Sequence, residues 1–349
     1  MTPMLARVIA VAAAVVAGWL VPALAMRALA PSLESSPLVI TNFRGRKVFL
    51  GLGLVWAVWA VALLVASAVF DVALLLGEAS YGSIESMLLD GPLTMPLYAV
   101  PIILTVAAML FGLADDVFGT SADKGFRGHL RALAQGRLST GGLKLLGIGS
   151  VAAVYGWRTA AQGAEAAGVS HTWVLAGWWV AATFVIALSA NLLNLTDLRP
   201  GRALKTYSVL ALAAGALFVF DVIGQYESYA LEMGVTWTAT DTAVTLACMA
   251  IVLLGPVAAV WRMDLGERGM LGDAGSNAMG AVIGYLLAGA LDLPWLSAVA
   301  VVLLALNVLS ERLSFSRVIE SIPPLRYLDR VGRLESDAIP EGSEPREDA

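Results

Sequence analysis

Long apolar runs separated by short polar stretches dominate this chain. Runs near the length of a bilayer-crossing helix, about 20 residues, occur near 5–30, 49–70, 93–114, 140–158, 172–193, 203–222, 241–261, 275–290 and 293–311. Backbone polar groups cannot go unsatisfied in lipid, so runs of this length predict helices. The pattern predicts an all-α polytopic bundle of about nine transmembrane helices over residues 1–311. The first run is longer than the apolar core of a cleaved signal and has no clear cleavage site before the next polar stretch. It reads as the first span.

Residues 312–334 follow a different pattern. After Pro323 and Pro324, Leu325, Leu328 and Val331 recur at helical spacing, with Arg326, Arg330 and Arg333 between them. This predicts an amphipathic segment lying on the cytoplasmic membrane surface. Residues 335–349 are acidic and contain proline, and are expected to be disordered.

Composition sharpens the membrane reading. The chain is 58% hydrophobic and 14% charged, whereas soluble domains carry about 25% charged residues. The single cysteine, Cys248, excludes an internal disulfide, and two histidines make a histidine-rich zinc site a poor fit. The charges are also sorted. Segments after the first, third, fifth, seventh and ninth runs hold most of the basic residues, among them Arg44, Arg46, Lys124, Arg127, Arg199, Lys205, Arg262 and Arg317. The alternate segments carry Asp71, Glu78, Glu85, Asp90, Asp221 and Glu227. The positive-inside rule then predicts a multi-pass plasma-membrane protein with its N-terminus outside and its C-terminus inside.

Three acidic motifs fall at predicted cytoplasmic helix ends. The third run ends in Asp115-Asp116, the fifth in Asn191-Leu-Leu-Asn194-Leu-Thr-Asp197, and the eighth begins Gly272-Asp273-Ala-Gly275-Ser276. Carboxylates at a membrane boundary are costly and tend to be functional. Simple exit points from lipid would also carry charge, but this set is unusual for that. Oxygen ligands without cysteine or a histidine cluster suit Mg2+, which takes one or two carboxylates plus phosphate and water. Asn191, Asn194 and Asp197 are spaced to share one helix side. Backbone N–H groups at the helix start of Gly272, Gly275 and Ser276 can hold a phosphate. Lys144, just inside the fourth run, either snorkels to headgroups or reaches the site.

At these motifs the chain resembles the polyprenyl-phosphate N-acetylhexosamine-1-phosphate transferase family, which includes the phospho-MurNAc-pentapeptide and GlcNAc-1-phosphate transferases. The paired aspartates, the Asn-x-x-Asn-x-x-Asp run and the Gly-Asp-x-Gly-Ser run fall in family order, and Asn42-Phe-Arg44-Gly-Arg46 looks like the family's first cytoplasmic loop. The resemblance implies transfer of a sugar-1-phosphate from a UDP-sugar to a polyprenyl phosphate, releasing UMP. It implies Mg2+ held by Asp273 and Asn194. Asp115 or Asp116 would position or deprotonate the lipid phosphate, and Asp197 would support the metal or nucleotide. Asn191, Lys144, Gly275, Ser276 and Arg44 would contact substrate. The expected partners are the lipid and the nucleotide sugar, with no nucleic acid, and a homodimer is open because the family includes dimers.

The chain departs from the family pattern in several places. Gly119 stands where lysine is frequent, Pro200 where a second aspartate is frequent, and no histidine follows His171. Peptidoglycan-type members have a tenth helix, where nine are read here. A catalytically silent relative that binds a lipid-linked precursor or an envelope partner is therefore the alternative. A transporter fits less well, because the ionisable motifs sit at helix ends and no inverted repeat is visible.

Overall fold

The computed structural model describes residues 3–42, 44–76, 101–119, 134–169, 171–232 and 237–334, together with 128 and 132. Lys124, Arg127, His129, Glu78, Glu85, Asp90 and the 335–349 tail lie outside the described residues.

The chain is mostly helical. Helix α1 runs without a break through Pro3–Ala13, a π-helical stretch Ala14–Leu20, and Val21–Glu34. Then come α2 (Leu54–Leu76), α3 (Ile102–Phe118), α4 (Thr140–Ala166), α5 (Thr172–Thr196), α6 (Arg202–Glu232), α7 (Ala239–Leu265), α8 (Gly272–Ala290) and α9 (Leu293–Ser310). Two short helices follow, α10 (Phe315–Ser321) and α11 (Pro323–Arg330). Five helices among the described residues are long and apolar enough to cross a membrane: α1, α5, α6, α7 and α9. Their exposed faces carry large apolar side chains such as Leu24, Phe184, Val209 and Val301, as lipid contact requires. This is a membrane protein.

Helix α8 is the axis of the bundle. It is buried almost all round, from Ala274 to Gly284, and packs against α3, α5 and α6. Its Gly, Ala and Ser content lets neighbouring backbones approach closely, which is how helices associate without a hydrophobic driving force. Asn277 adds a polar tie within the helix by donating to the Asp273 carbonyl at 2.7 Å.

A small sheet departs from the all-α expectation. Strands β1 (Val39–Thr41) and β2 (Lys47–Leu50) pair antiparallel, and β2 pairs parallel with β3 (Gly269–Met270). Asn42 closes the hairpin, its Oδ1 accepting from the backbone N–H groups of Arg44 and Arg46. Residues 49–53, read as the start of the second span, are instead strand and turn, and α2 begins at Leu54. Because β3 leads directly into α8, the sheet fixes where α8 begins.

The segment after α9 folds back onto the start of α6. Arg202 donates to both carboxylate oxygens of Asp329, at 2.8 and 3.1 Å, and to Ser316 Oγ at 2.8 Å. Lys205 Nζ donates to the carbonyls of Leu328, Asp329 and Val331. Arg333 donates to the Pro200 carbonyl at 2.9 Å. Burial alone would raise the Asp329 carboxyl, but the Arg202 hydrogen bond and nearby Arg333 hold it below the usual carboxylate range.

Candidate active site

The site forms where the end of α3 meets the beginnings of α4 and α8. Two glycines permit this. A Cβ on Gly112 would come 2.3 Å from the Asp273 carbonyl oxygen, so only glycine lets α3 pass so close to α8. Gly272 has φ +66, and a Cβ there would stand 2.5 Å from Asp116 Oδ2. Its left-handed turn aims the first N–H groups of α8 at α3. Asp116 accepts from the Asp273 and Ala274 N–H groups, one oxygen each, both at 3.0 Å. The Asp116 side chain thus satisfies two of the N–H groups that a helix start leaves without a partner.

Asp115, the other half of the pair, points elsewhere. Lys144 Nζ lies 3.2 Å from Asp115 Oδ2 and 2.5 Å from Asp273 Oδ2. The Lys144 residue is 8% exposed, so its ammonium is drawn inward rather than toward headgroups. Thr140 hydrogen-bonds Asp115 as well. The ammonium therefore bridges the two acidic motifs.

The third motif approaches from α5. Ser276 Oγ lies 3.1 Å from Asn194 Oδ1 and 2.9 Å from the Gly272 carbonyl. Asp197 is the C-cap of α5 and accepts from the Gly272 N–H. Burial, and then the carboxylates of Asp264, Asp273 and Asp116, push the Asp197 carboxyl well above its ordinary range.

Some predicted residues sit apart from this cluster. The Asn191 amide donates to Asn307 Oδ1 on α9 at 2.6 Å, and Asn307 in turn donates to the Leu188 and Leu303 carbonyls. Arg44 pairs with Glu267 at 2.8 Å beside the hairpin. Gly275 is packed against Gly53 at the start of α2. The helix N–H groups expected to hold a phosphate are engaged: Asp197 takes that of Gly272, Asp116 those of Asp273 and Ala274, and the Leu271 carbonyl that of Gly275.

Sequence reading missed Asp264 and Glu267. Asp264 accepts from the Gly201 N–H and holds the 197–201 turn. Glu267 has φ +51, unusual outside glycine, and is almost fully buried beneath Asn42, Arg44 and Arg46. The positive φ has no signature in sequence. Asp197, Pro200, Asp264 and Glu267 help line a crevice of about 20 Å³, room for roughly one water.

Among the described residues, no group of three or more His, Cys, Asp or Glu side chains is arranged to hold a metal. Of the two residues expected to hold Mg2+, Asn194 accepts from Ser276 Oγ and Asp273 is paired with Lys144. No family model matches the chain.

Proposed function

We propose that this protein is a phosphotransferase of nine membrane spans in the plasma membrane, N-terminus outside and C-terminus inside. It would move a sugar-1-phosphate, by resemblance HexNAc-1-phosphate, from a UDP-sugar to a polyprenyl phosphate at the cytoplasmic face, in cell-envelope polysaccharide synthesis. The observation that supports this reading most is the Lys144 bridge between Asp115 and Asp273, which joins two of the three acidic motifs through a cation suited to phosphate.

Both reactants are anions, so the chemistry needs charge neutralisation and alignment. Mg2+ held by Asp273 and Asn194 would supply neutralising charge at the donor diphosphate. Lys144 would turn from its carboxylates to a phosphate oxygen. Asp115, then released, would orient the lipid phosphate. A phosphate monoester has a second pKa near about 6, so it is largely ionised at neutral pH without a strong base. Asp116 holds the start of α8 and thereby fixes Asp273, which makes it a positioning residue.

The test is nucleoside monophosphate release from purified protein supplied with undecaprenyl phosphate, Mg2+ and a panel of UDP-sugars. Release that depends on lipid, metal and Asp273 is the expected result. Unchanged release from Asp273→Ala would sink the assignment.

A silent, lipid-binding relative is favoured by one observation. Pro200 stands where the family pattern frequently has a second aspartate near the nucleotide. Folded protein that binds the lipid but turns over no donor would select this second reading.

A further inference from the structure

The opposite end of the bundle holds a second polar cavity, of about 770 Å³. It lies between α4, α5, α6 and the end of α8. Arg158 and Glu165 of α4, Asp221 of α6 and Tyr285 of α8 help line it. At about 1.5 Å per residue, Arg158 stands about 21 Å along α4 from Lys144, and Tyr285 about 18 Å along α8 from Asp273. Asp221 stands about 28 Å along α6 from Arg202. The hydrocarbon layer is about 30 Å thick, so the cavity runs from within the far leaflet, at Arg158 and Tyr285, out to headgroup depth at Asp221. Trp173 and Trp295, at the starts of α5 and α9, are 75% and 68% exposed at the same end, as interfacial tryptophans are.

The charges here are not spent on one another. Among the described residues, Arg158, Asp221 and Glu165 form no ion pair. Asp221 only accepts from the Gln225 amide at 2.8 Å. Ionisable side chains within membrane helices that face a cavity mark ligand sites.

Arg158 also belongs to a second surface. It lines an adjoining, almost wholly apolar groove of about 410 Å³, with Ile103, Val151, Val154 and Tyr155. Residues 151–155 lie between Lys144 and Arg158 on α4, so the groove runs from Arg158 toward the bilayer midplane. A polar cavity reaching out to headgroup depth, an apolar groove leading inward and an arginine at their junction match an amphiphile. The carboxylates of Asp221 and Glu165 disfavour a purely anionic headgroup and suit one that also carries an amine.

We propose that this cavity binds the zwitterionic headgroup of an amine-bearing phospholipid. Its phosphate meets Arg158, its ammonium faces Asp221 and Glu165, and one acyl chain lies in the apolar groove. The inference rests on the membrane placement of the helices and is independent of the transferase reading.

Native mass spectrometry of the full chain, released from bilayers of equal phosphatidylethanolamine and phosphatidylglycerol, tests it. The expected result is retained phosphatidylethanolamine in preference to phosphatidylglycerol. Arg158→Gln should cut that retention about tenfold, the loss of one charge-assisted phosphate contact. Glu165→Lys changes an exposed position that tolerates substitution and should swing the preference toward phosphatidylglycerol. It keeps the test decisive should Arg158→Gln fail to fold. Equal retention of both lipids by the unaltered protein, or an unaltered preference in Glu165→Lys, would overturn the proposal. So would soluble glycerophosphoethanolamine binding as tightly as the lipid, because the groove would then contribute nothing.

Discussion

At the end where α3, α4 and α8 meet, buried and half-buried cations close on carboxylates. Lys144 joins Asp115 and Asp273, Arg202 grips Asp329, and Arg44 meets Glu267. At the far end Arg158, Asp221 and Glu165 share a cavity of about 770 Å³ without an ion pair among the described residues. The difference follows from solvent. Taking an unpaired charge out of water costs several kcal/mol, so dry charges must find partners. A cavity open at headgroup depth leaves its charges hydrated and available.

The comparison can be broken experimentally. The largest effect is expected at Asp273, where alanine removes both the counter-charge of Lys144 and a proposed metal ligand. Nucleoside monophosphate release should fall by about 10³-fold, as for loss of a main electrostatic group in other active sites. Next comes Arg202→Met. Arg202 is 4% exposed, and breaking a buried pair from one side costs about 3–5 kcal/mol. Hydrogen exchange over residues 315–334 should rise sharply, and unchanged protection would show that the pair does not hold the segment. Acid should act on the same pair. The Asp329 carboxyl titrates below its unfolded value. Its contribution is therefore complete above about pH 4 and is lost as pH falls through the lowered folded value. Protection factors over this segment, with the intrinsic pH dependence of exchange divided out, should stay flat from neutral pH to about 5 and fall only in stronger acid.

Smaller effects test the rest. A double-mutant cycle of Asn191→Leu and Asn307→Leu should give a coupling of about 0.6 kcal/mol, typical of interhelical hydrogen bonds in membranes. Asp221→Asn at the far end should change stability by no more than about 0.5 kcal/mol. A loss there as large as that of Arg202→Met would erase the contrast between the two ends.

These contrasts were only partly legible in the sequence. Apolar length alone marked the long helices, because lipid leaves the backbone few alternatives. Phe49 and Leu50, the end of the Lys47–Leu50 strand, fall inside the predicted second span because a short apolar run next to a longer one carries no period of its own. The order of the acidic motifs pointed to Asp115, Asn194 and Asp273, since helix ends on one face must lie near one plane. Side-chain partners were not legible. Asn191 shares the helical spacing of Asn194, yet its amide turns to Asn307, a residue with no distinguishing neighbourhood in the sequence. Arg202 and Asp329 are far apart in the chain, and nothing local to either announces the other. Asp264 and Glu267 lie between Arg262 and Arg268, inside the basic segment that satisfies the topology argument, so their charge has no separate signal.

The Arg202–Asp329 clasp has a consequence for protein engineering. A reporter joined after Leu334 would leave the molecule beside the hairpin, since Arg44 reaches the Leu334 carbonyl, and would keep every contact of α10 and α11. A chain cut before Phe315 would strip Arg202 of Asp329 and Ser316 together and leave the Pro200 carbonyl without Arg333. The last two short helices therefore behave as part of the folded body, and a deletion series from the C-terminus should meet its first abrupt loss of yield when it passes Arg333 and reaches Asp329.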